Sequence, residues 1–166
     1  MTQSLNQGEL ISWRILLDAM VPLLRLGNIP DDAPPSSEWR VDYVAALTLL
    51  RSIWHVLNRV DAKQFPLVRE RLELIKPRIS KSENLKWLRS NRDKALKEYA
   101  LSAEVVKSWE AGVPHAIDDA EATIEVYQVY IADSGELAVT RLWKIHEEWG
   151  LFLSEILHGP ESVKWP

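Results

Sequence analysis

The sequence predicts a mainly α-helical protein: a four- to five-helix bundle with a small β-hairpin inserted before the last helix. Three observations support this fold class. Apolar residues recur three or four positions apart along most of the chain, which is the spacing of one helix face. Proline, glycine and serine interrupt that pattern at intervals typical of short connections. Residues 123–131 are rich in β-branched and aromatic side chains, which favour strands.

The length and composition predict a single domain and exclude several kinds of chemistry. We expect one helical-bundle domain over the 166 residues, with its core at about 6–157 and a flexible tail at 158–166. The chain has no cysteine, which excludes disulfides, thiolate zinc sites and thiol catalysis. Its formal net charge of −4 argues against broad binding of duplex nucleic acid, but it is compatible with a local basic groove.

The first predicted helix covers about 6–26. Pro22 lies inside it and predicts a kink or a local break, because a proline ring clashes with the carbonyl four residues earlier. Gly27 stands where a C-terminal cap is expected. Three prolines within 30–35 then predict a stiff connecting loop.

A second helix with a wide apolar face is expected to occupy the centre of the bundle. Ser36 or Ser37 is its expected N-cap, and the helix continues to about Val60. Residues 61–64 are then expected to form a short turn.

Prolines and a serine mark the third and fourth predicted helices. Pro66 suits the first position of the third helix, and Pro77 is expected to end it. Ser82 is the expected cap of the fourth helix, which covers about 83–99.

The segment that follows predicts two short antiparallel strands joined by a loop. Residues 100–106 form a poor helix sequence, residues 123–131 have strand composition, and Gly112 and Pro114 lie between them. A helix through 116–132 is the alternative, because four of its apolar residues also satisfy a helical period: Ile117, Ala120, Ile124 and Tyr127.

Asp133 and Glu136 have the spacing of a capping box, which predicts the start of the last helix. We expect that helix to reach about Leu157, where Gly159 and Pro160 stop it. Six tryptophans fall on predicted helices and are expected to pack between them: Trp13, Trp39, Trp54, Trp87, Trp143 and Trp149. Trp109 and Trp165 lie outside these helices and are candidates for a contact surface.

Neither a membrane span nor a targeting segment is expected. The longest apolar stretch, residues 11–26, is interrupted by charged residues and by proline, and the N-terminus lacks the positive region of a signal peptide. With no cysteine as well, the expected location is the cytoplasm.

The histidines match no metal template. A metalloprotease helix needs a second histidine four residues after His146, where the chain has Gly150, and the pair Glu155 and His158 has no counterpart on another helix. Glycines are scattered singly, so no glycine-rich loop for binding phosphate is present. The Gly-x-Ser-x-Gly motif of a serine nucleophile is also absent. We therefore expect no metal and no cofactor.

Two helices carry candidate site residues. Arg51 and His55 are four residues apart and share a helix face, either as a boundary pair with satisfied partners or as an anion-binding and acid/base pair. On the fourth predicted helix, Arg89, Arg92 and Tyr99 lie near one face. These residues belong either to a charged helix face exposed to solvent or to a functional site on the face that points into the bundle.

The stretch Trp87-Leu88-Arg89-Ser90-Asn91-Arg92-Asp93-Lys94-Ala95-Leu96-Lys97-Glu98-Tyr99 resembles the arginine-bearing helix of HEPN-type domains, which are small bacterial and archaeal helical bundles. In that superfamily an arginine, often followed by Asn or Asp, precedes a histidine by four to six intervening residues. Arg92 and Asp93 fit the first half of this motif, and Lys97, Glu98 and Tyr99 stand where the histidine would be. Residues 50–57, LRSIWHVL, resemble an earlier helix of an uncharacterised bacterial subgroup.

The resemblance implies that Arg51, His55, Arg92 and Tyr99 converge on one groove, that the protein is a homodimer, and that it works in a defence or toxin–antitoxin setting. Three functions stay open. The first is a non-catalytic module that binds RNA or protein, with Arg51, Arg89 and Tyr99 as binding residues. The second is a metal-independent RNase in which Arg92 steadies the phosphate and His55 moves the proton. The third is a small-molecule or nucleotide binder that uses a tryptophan-lined bundle pocket.

Overall fold

The computed structural model describes residues 6–29, 38–97, 101, 103–111, 123–160 and 163, which form a helical bundle with one β-hairpin. After a 3-10 turn come the elements α1 (Ile11–Asp18), α2 (Met20–Leu26), α3 (Glu38–Val56), α4 (Ala62–Gln64), α5 (Pro66–Lys81), α6 (Glu83–Lys97), β1 (Ala103–Ala111), β2 (Thr123–Ile131) and α7 (Ala138–His158). This order confirms the predicted mainly α-helical bundle with a hairpin before the last helix.

Helix α3 lies at the centre of the bundle, as its wide apolar face predicted. It contacts α1, α2, α6 and α7. Five of its side chains are fully buried: Tyr43, Ala46, Leu47, Leu50 and Ile53. Because this face is fixed in the core, the polar residues between these positions are held at the boundary with the neighbouring helices.

The chain breaks between α1 and α2, where Pro22 predicted a kink. Helix α1 ends at Asp18, which is the residue whose carbonyl the Pro22 ring would meet in a continuous helix. Gly27 is the C-cap of α2, in a right-handed conformation with φ −81°. The proline loop at 30–35 and the Ser36 or Ser37 cap lie outside the described residues.

The turn expected at 61–64 is wrong, because helical structure continues there. A π-helical turn over Leu57–Asp61 follows α3 and leads directly into α4. The chain leaves helical geometry only at Phe65, with φ −122° and ψ 105°. An extended residue is expected directly before Pro66, since the proline ring disfavours helical geometry in its predecessor. Pro66 begins α5, as predicted.

Pro77 does not end α5, so this prediction is also wrong. The helix continues to Lys81, and its buried face reaches beyond the proline: Val68, Leu72, Ile75 and Ile79. The free energy gained by burying that face exceeds the cost of the backbone hydrogen bond that the proline cannot donate. Ser82 caps α6 as predicted, because its Oγ accepts the backbone N–H of Leu85 at 3.2 Å.

Strands β1 and β2 pair antiparallel, which confirms the strand prediction for 123–131 and overturns the helical alternative there. Val105 pairs with Val129, and the strand ends meet at Ala103 and Ile131. Ala103, Val129 and Ile131 are buried, so one face of the hairpin packs onto the bundle. The predicted connecting loop, with Gly112 and Pro114, lies outside the described residues.

The capping box predicted at Asp133 does not form. Helix α7 begins at Ala138, and its N-cap, Leu137, makes no side-chain cap. A tight turn uses the intervening residues: the backbone N–H of Ile131 donates to the carbonyl of Glu136 at 2.8 Å, and Gly135 has φ +65°. The helix can begin only after this turn closes. Gly159, with φ 95°, caps its C-terminus as predicted.

The six helical tryptophans are structural, as predicted. Trp149 is 2% exposed, and the others pack against the core while partly buried: Trp13, Trp39, Trp54, Trp87 and Trp143. Trp109 belongs to β1, and Trp165 lies outside the described residues. Within the described part of the chain, no helix is both long enough and apolar enough to cross a membrane.

His146 joins α7 to α1 through a half-buried hydrogen bond. Its Nε2 donates to the carbonyl oxygen of Leu16 at 3.0 Å, and the edge of its ring contacts Trp143, with 5.1 Å between the ring centroids. Burial lowers the pKa of His146 below its ordinary value of 6.5, and the hydrogen bond to Leu16 and the charge of Glu147 oppose this shift only in part. The folded state therefore favours the neutral imidazole.

This shift predicts a loss of stability in acid that depends on His146. Because the pKa is lower in the folded state, the unfolded chain binds the proton more readily. The contribution to stability is complete above about pH 6.5 and is lost as the pH falls toward the folded-state pKa. We expect urea denaturation of His146→Gln to depend less on pH than that of the native protein, while His158→Gln, at the exposed end of α7, keeps the native dependence. Identical pH profiles for His146→Gln and the native protein would refute this assignment.

Candidate anion-binding groove

An open groove of about 600 Å³ lies between α3 and α6, and we call it the cationic groove. Helical spacing explains its lining, since side chains three, four or seven residues apart share a helix face. From α3 and the π-helical turn come Thr48, Arg51, Ser52, Trp54, His55, Asn58 and Arg59. From α6 come Arg89, Arg92, Asp93 and Lys97.

Four of the five site residues predicted from sequence line this groove. Arg51, His55, Arg89 and Arg92 come together there, although the two helices are separate in sequence. Tyr99 lies outside the described residues. The chemical roles assigned to these side chains remain predictions.

Sequence reasoning did not single out Arg59, which also lines the groove. Arg59 lies four residues after His55, so the spacing that links Arg51 to His55 also predicts its position. The second predicted helix, which was expected to reach about Val60, already included Arg59, but the position was not weighed as a site residue. In the structure it belongs to the π-helical turn over Leu57–Asp61.

The groove is strongly basic in a chain that is acidic overall. Among the described residues that line it, one is acidic, Asp93, and five are basic: Arg51, Arg59, Arg89, Arg92 and Lys97. The formal net charge of the whole chain is −4. Positive charge is therefore concentrated here, which is the electrostatic pattern of a site for anions.

Asp93 compensates only part of this charge. Its carboxylate accepts a hydrogen bond from Nη1 of Arg92 at 2.9 Å and lies 3.8 Å from Nζ of Lys97. The hydrogen bond from Arg92 lowers the pKa of Asp93, so the carboxylate stays ionised. This ion pair with Lys97 is the one expected for a solvated helix face, and Asp93 forms no salt bridge with Arg51, Arg59 or Arg89 in the described structure.

Arg51 and Arg89 form no salt bridge with any carboxylate of the described residues. Burial lowers the pKa of Arg51, the positive charges of Arg89 and Arg92 lower it further, and Asp93 opposes them. The described residues show no partner that would make Arg51 and His55 a satisfied boundary pair, so both readings of this pair stay predictions. The charge of Arg51 is compensated only in part, by Asp93 at a distance, and His55 is exposed.

Arg92 lines the groove and has one hydrogen-bond donor without a partner among the described residues. Its Nη1 donates to Asp93, but its Nε is buried and has no hydrogen-bond partner in the described structure. A guanidinium presents its donors in a planar fork that matches the oxygens of a phosphate or carboxylate. The groove is thus equipped to bind an oxyanion through arginine, with an exposed imidazole close by.

Metal ligands do not gather in the described residues: no group of three histidine, aspartate or glutamate side chains is placed to hold an ion. Comparisons with protein-family models, with curated proteins and with solved structures gave no match. The resemblance to HEPN-type domains stays a prediction that rests on residues 50–57 and 87–99. The geometry of the cationic groove is therefore the basis for assigning a function.

Proposed function

We propose that the protein is a non-catalytic binding module whose cationic groove holds the phosphate groups of single-stranded RNA. One observation carries the proposal: five basic side chains line one groove against a single described carboxylate, in a chain of net charge −4. Phosphate contacts supply most of the affinity of sequence-independent nucleic-acid binding.

A bound phosphate would offset like-charge repulsion in the free groove. The positive charge of Arg89 disfavours that of Arg51, and neither side chain pairs with a carboxylate in the described structure. An anion between them would replace this repulsion by two charge-assisted contacts.

The wall of the groove favours a single strand over a duplex. Trp54 lines the groove while partly buried, and aromatic side chains in basic grooves stack with unpaired bases. The acidic balance elsewhere on the chain disfavours the broad phosphate contact that duplex binding requires. A homodimer, a cytoplasmic location and a defence or toxin–antitoxin setting are the parts of this proposal that only the HEPN-type resemblance and the sequence suggest.

A metal-independent RNase is the second candidate, favoured by the presence of His55 and Arg92 in the same groove. Arg92 would hold the phosphate while His55 takes the proton from an attacking ribose 2′-hydroxyl. The new bond to phosphorus would form as the bond to the 5′-oxygen breaks, and that oxygen would leave with a proton from water. Exposure of His55 to solvent is compatible with such a proton transfer.

The binding proposal predicts that Arg51→Ala and Arg89→Ala each weaken binding of a fluorescent single-stranded RNA by about tenfold. This loss follows because a charge-assisted hydrogen bond contributes about 1.5 kcal/mol or more. The salt dependence of the dissociation constant should also become shallower with each lost phosphate contact. Lys94→Ala is the matched control, since Lys94 is an exposed basic residue on α6 that does not line the groove. Fluorescence anisotropy over a range of salt concentrations measures both quantities.

Equal weakening by Arg51→Ala and Lys94→Ala would overturn the proposal, because the groove would then have no special role. Cleavage of the RNA in the presence of EDTA would overturn its non-catalytic part. If His55→Ala abolished that cleavage and preserved binding, the second candidate would be supported.

A further inference from the structure

A second groove, of about 470 Å³, adjoins the cationic groove and shares three of its residues. Arg51, Trp54 and Arg89 line both grooves and therefore form the boundary between them. Beyond this boundary the lining is largely apolar, with Leu88 of α6 and Trp149 of α7 both buried. The volume falls within the range of small-molecule sites, which are about 300 to 1,000 Å³.

Trp149 gives this groove a buried and unused hydrogen-bond donor. The residue is 2% exposed and lines the groove, and its indole Nε1 has no hydrogen-bond partner in the described structure. Buried donors of this kind are normally paired, so an acceptor on a ligand bound beside Trp149 is one partner that would satisfy this one. Ring nitrogens and carbonyl oxygens at the edge of a nucleobase are acceptors of this kind.

The charges around the second groove are arranged unevenly. Lys76 and Lys86, which also line it, pair with Glu73 and Glu83 one helical turn away. Arg51 and Arg89 have no such carboxylate partner in the described structure, so the positive charge without a paired carboxylate lies at the boundary between the two grooves. A matching ligand has a flat apolar part and carries its negative charge at one end.

We infer that this second groove, the base groove, receives one base of the bound RNA, with the adjacent phosphate held by Arg51 and Arg89. The inference rests on the proposed function and gives it a nucleotide-binding subsite. Trp54 lies at the junction, where its partly buried indole can stack on the base. The base groove supplies burial and a donor, and the cationic groove supplies charge.

Adenosine 5′-monophosphate and inorganic phosphate are the probes that separate the two grooves. We expect the nucleotide to shift the indole N–H resonance of Trp149 in nitrogen-15 NMR spectra of the native protein, and inorganic phosphate to leave it unchanged. Loss of one indole signal in Trp149→Phe assigns that resonance. An unshifted Trp149 signal at saturating nucleotide would overturn the inference.

Ser80→Trp provides an independent test by filling the base groove from its exposed rim. Ser80 lines this groove and does not line the cationic groove. We expect calorimetry to show nucleotide binding weakened about tenfold or more, which corresponds to the loss of one base contact, with phosphate binding unchanged. Ser90→Trp is the matched control, because Ser90 is exposed on α6 and lines neither groove.

The outcomes distinguish this inference from the proposed function. If Arg51→Ala weakens RNA binding but Ser80→Trp leaves nucleotide binding at the native level, the base groove is wrong and the cationic groove stands. If neither RNA nor nucleotide binding depends on Arg51 and Arg89, both are wrong. Circular dichroism of Ser80→Trp checks that the variant is folded. The nitrogen-15 NMR spectra of the native protein test the inference without any substitution in the groove.

Discussion

Replacing Asp61 by alanine is expected to lower the free energy of unfolding by about 3 kcal/mol. Asp61 is fully buried, and its two carboxylate oxygens accept the backbone N–H groups of Ile11 at 3.1 Å and Ser12 at 3.0 Å. These are the first residues of α1, where N–H groups have no partner within the helix and where a negative charge is favourable. The N-cap of α1, Leu10, provides no side-chain acceptor.

The magnitude follows from two charge-assisted hydrogen bonds, each contributing about 1.5 to 3 kcal/mol, less the cost of burying the charge. Asp61→Asn should lose an intermediate amount, because its amide keeps one acceptor oxygen and turns a donor toward the second N–H. Asp18→Ala is the control. Asp18 is exposed at the other end of α1, and its removal should change stability by less than about 0.5 kcal/mol. Urea denaturation that gave Asp61→Ala the stability of the control would contradict this role.

Asp61 shows why part of the fold could not be predicted from sequence. The sequence reading placed it in a short turn, since no local pattern connects it to a helix start 50 positions earlier. Its role appears only when the π-helical turn carries it against α1. The same π-helical turn carries Arg59 into the cationic groove.

Helix faces were predictable because periodicity is local, whereas helix ends depend on competing tertiary contacts. The central position of α3 followed from its wide apolar face, and the hairpin followed from β-branched composition. Pro77 was expected to end α5 on propensity alone, but the buried face that continues to Ile79 outweighs that propensity. Asp133 had the right spacing for a cap, but a tight turn between β2 and α7 uses that segment first.

The candidate site was predictable within each helix and unpredictable between helices. Spacing grouped Arg51 with His55, and Arg89 with Arg92, because each pair shares a face of its own helix. Whether these two faces meet depends on how α3 packs against α6, which the buried residues of both helices decide together. The base groove lay beyond prediction for the same reason, since α3, α5, α6 and α7 all contribute to it.

Replacing Arg78 by alanine is expected to lower the free energy of unfolding by about 2 kcal/mol. Its guanidinium pairs with the carboxylate of Glu155, whose side chain is 7% exposed, and lies 5.8 Å from the ring centroid of Phe152. Without Arg78, the carboxylate stays buried and loses this positive charge. The Arg78 side chain is 44% exposed, so water reaches part of the pair and the loss is smaller than for a fully buried one.

A matched set of variants separates the ion pair from simple loss of charge. Arg69→Ala, at an exposed position of the same helix, is expected to change stability by less than about 0.5 kcal/mol. Replacing Arg78 and Glu155 together by leucine should recover most of the loss, because an apolar pair avoids the cost of burying a charge. If the double variant is as unstable as Arg78→Ala, the loss comes from packing of the arginine stem on Phe152. Recovery in the double variant means that the buried carboxylate left without its positive partner is the cause. The destabilised contact joins α5, which forms one wall of the base groove, to α7, which carries Trp149.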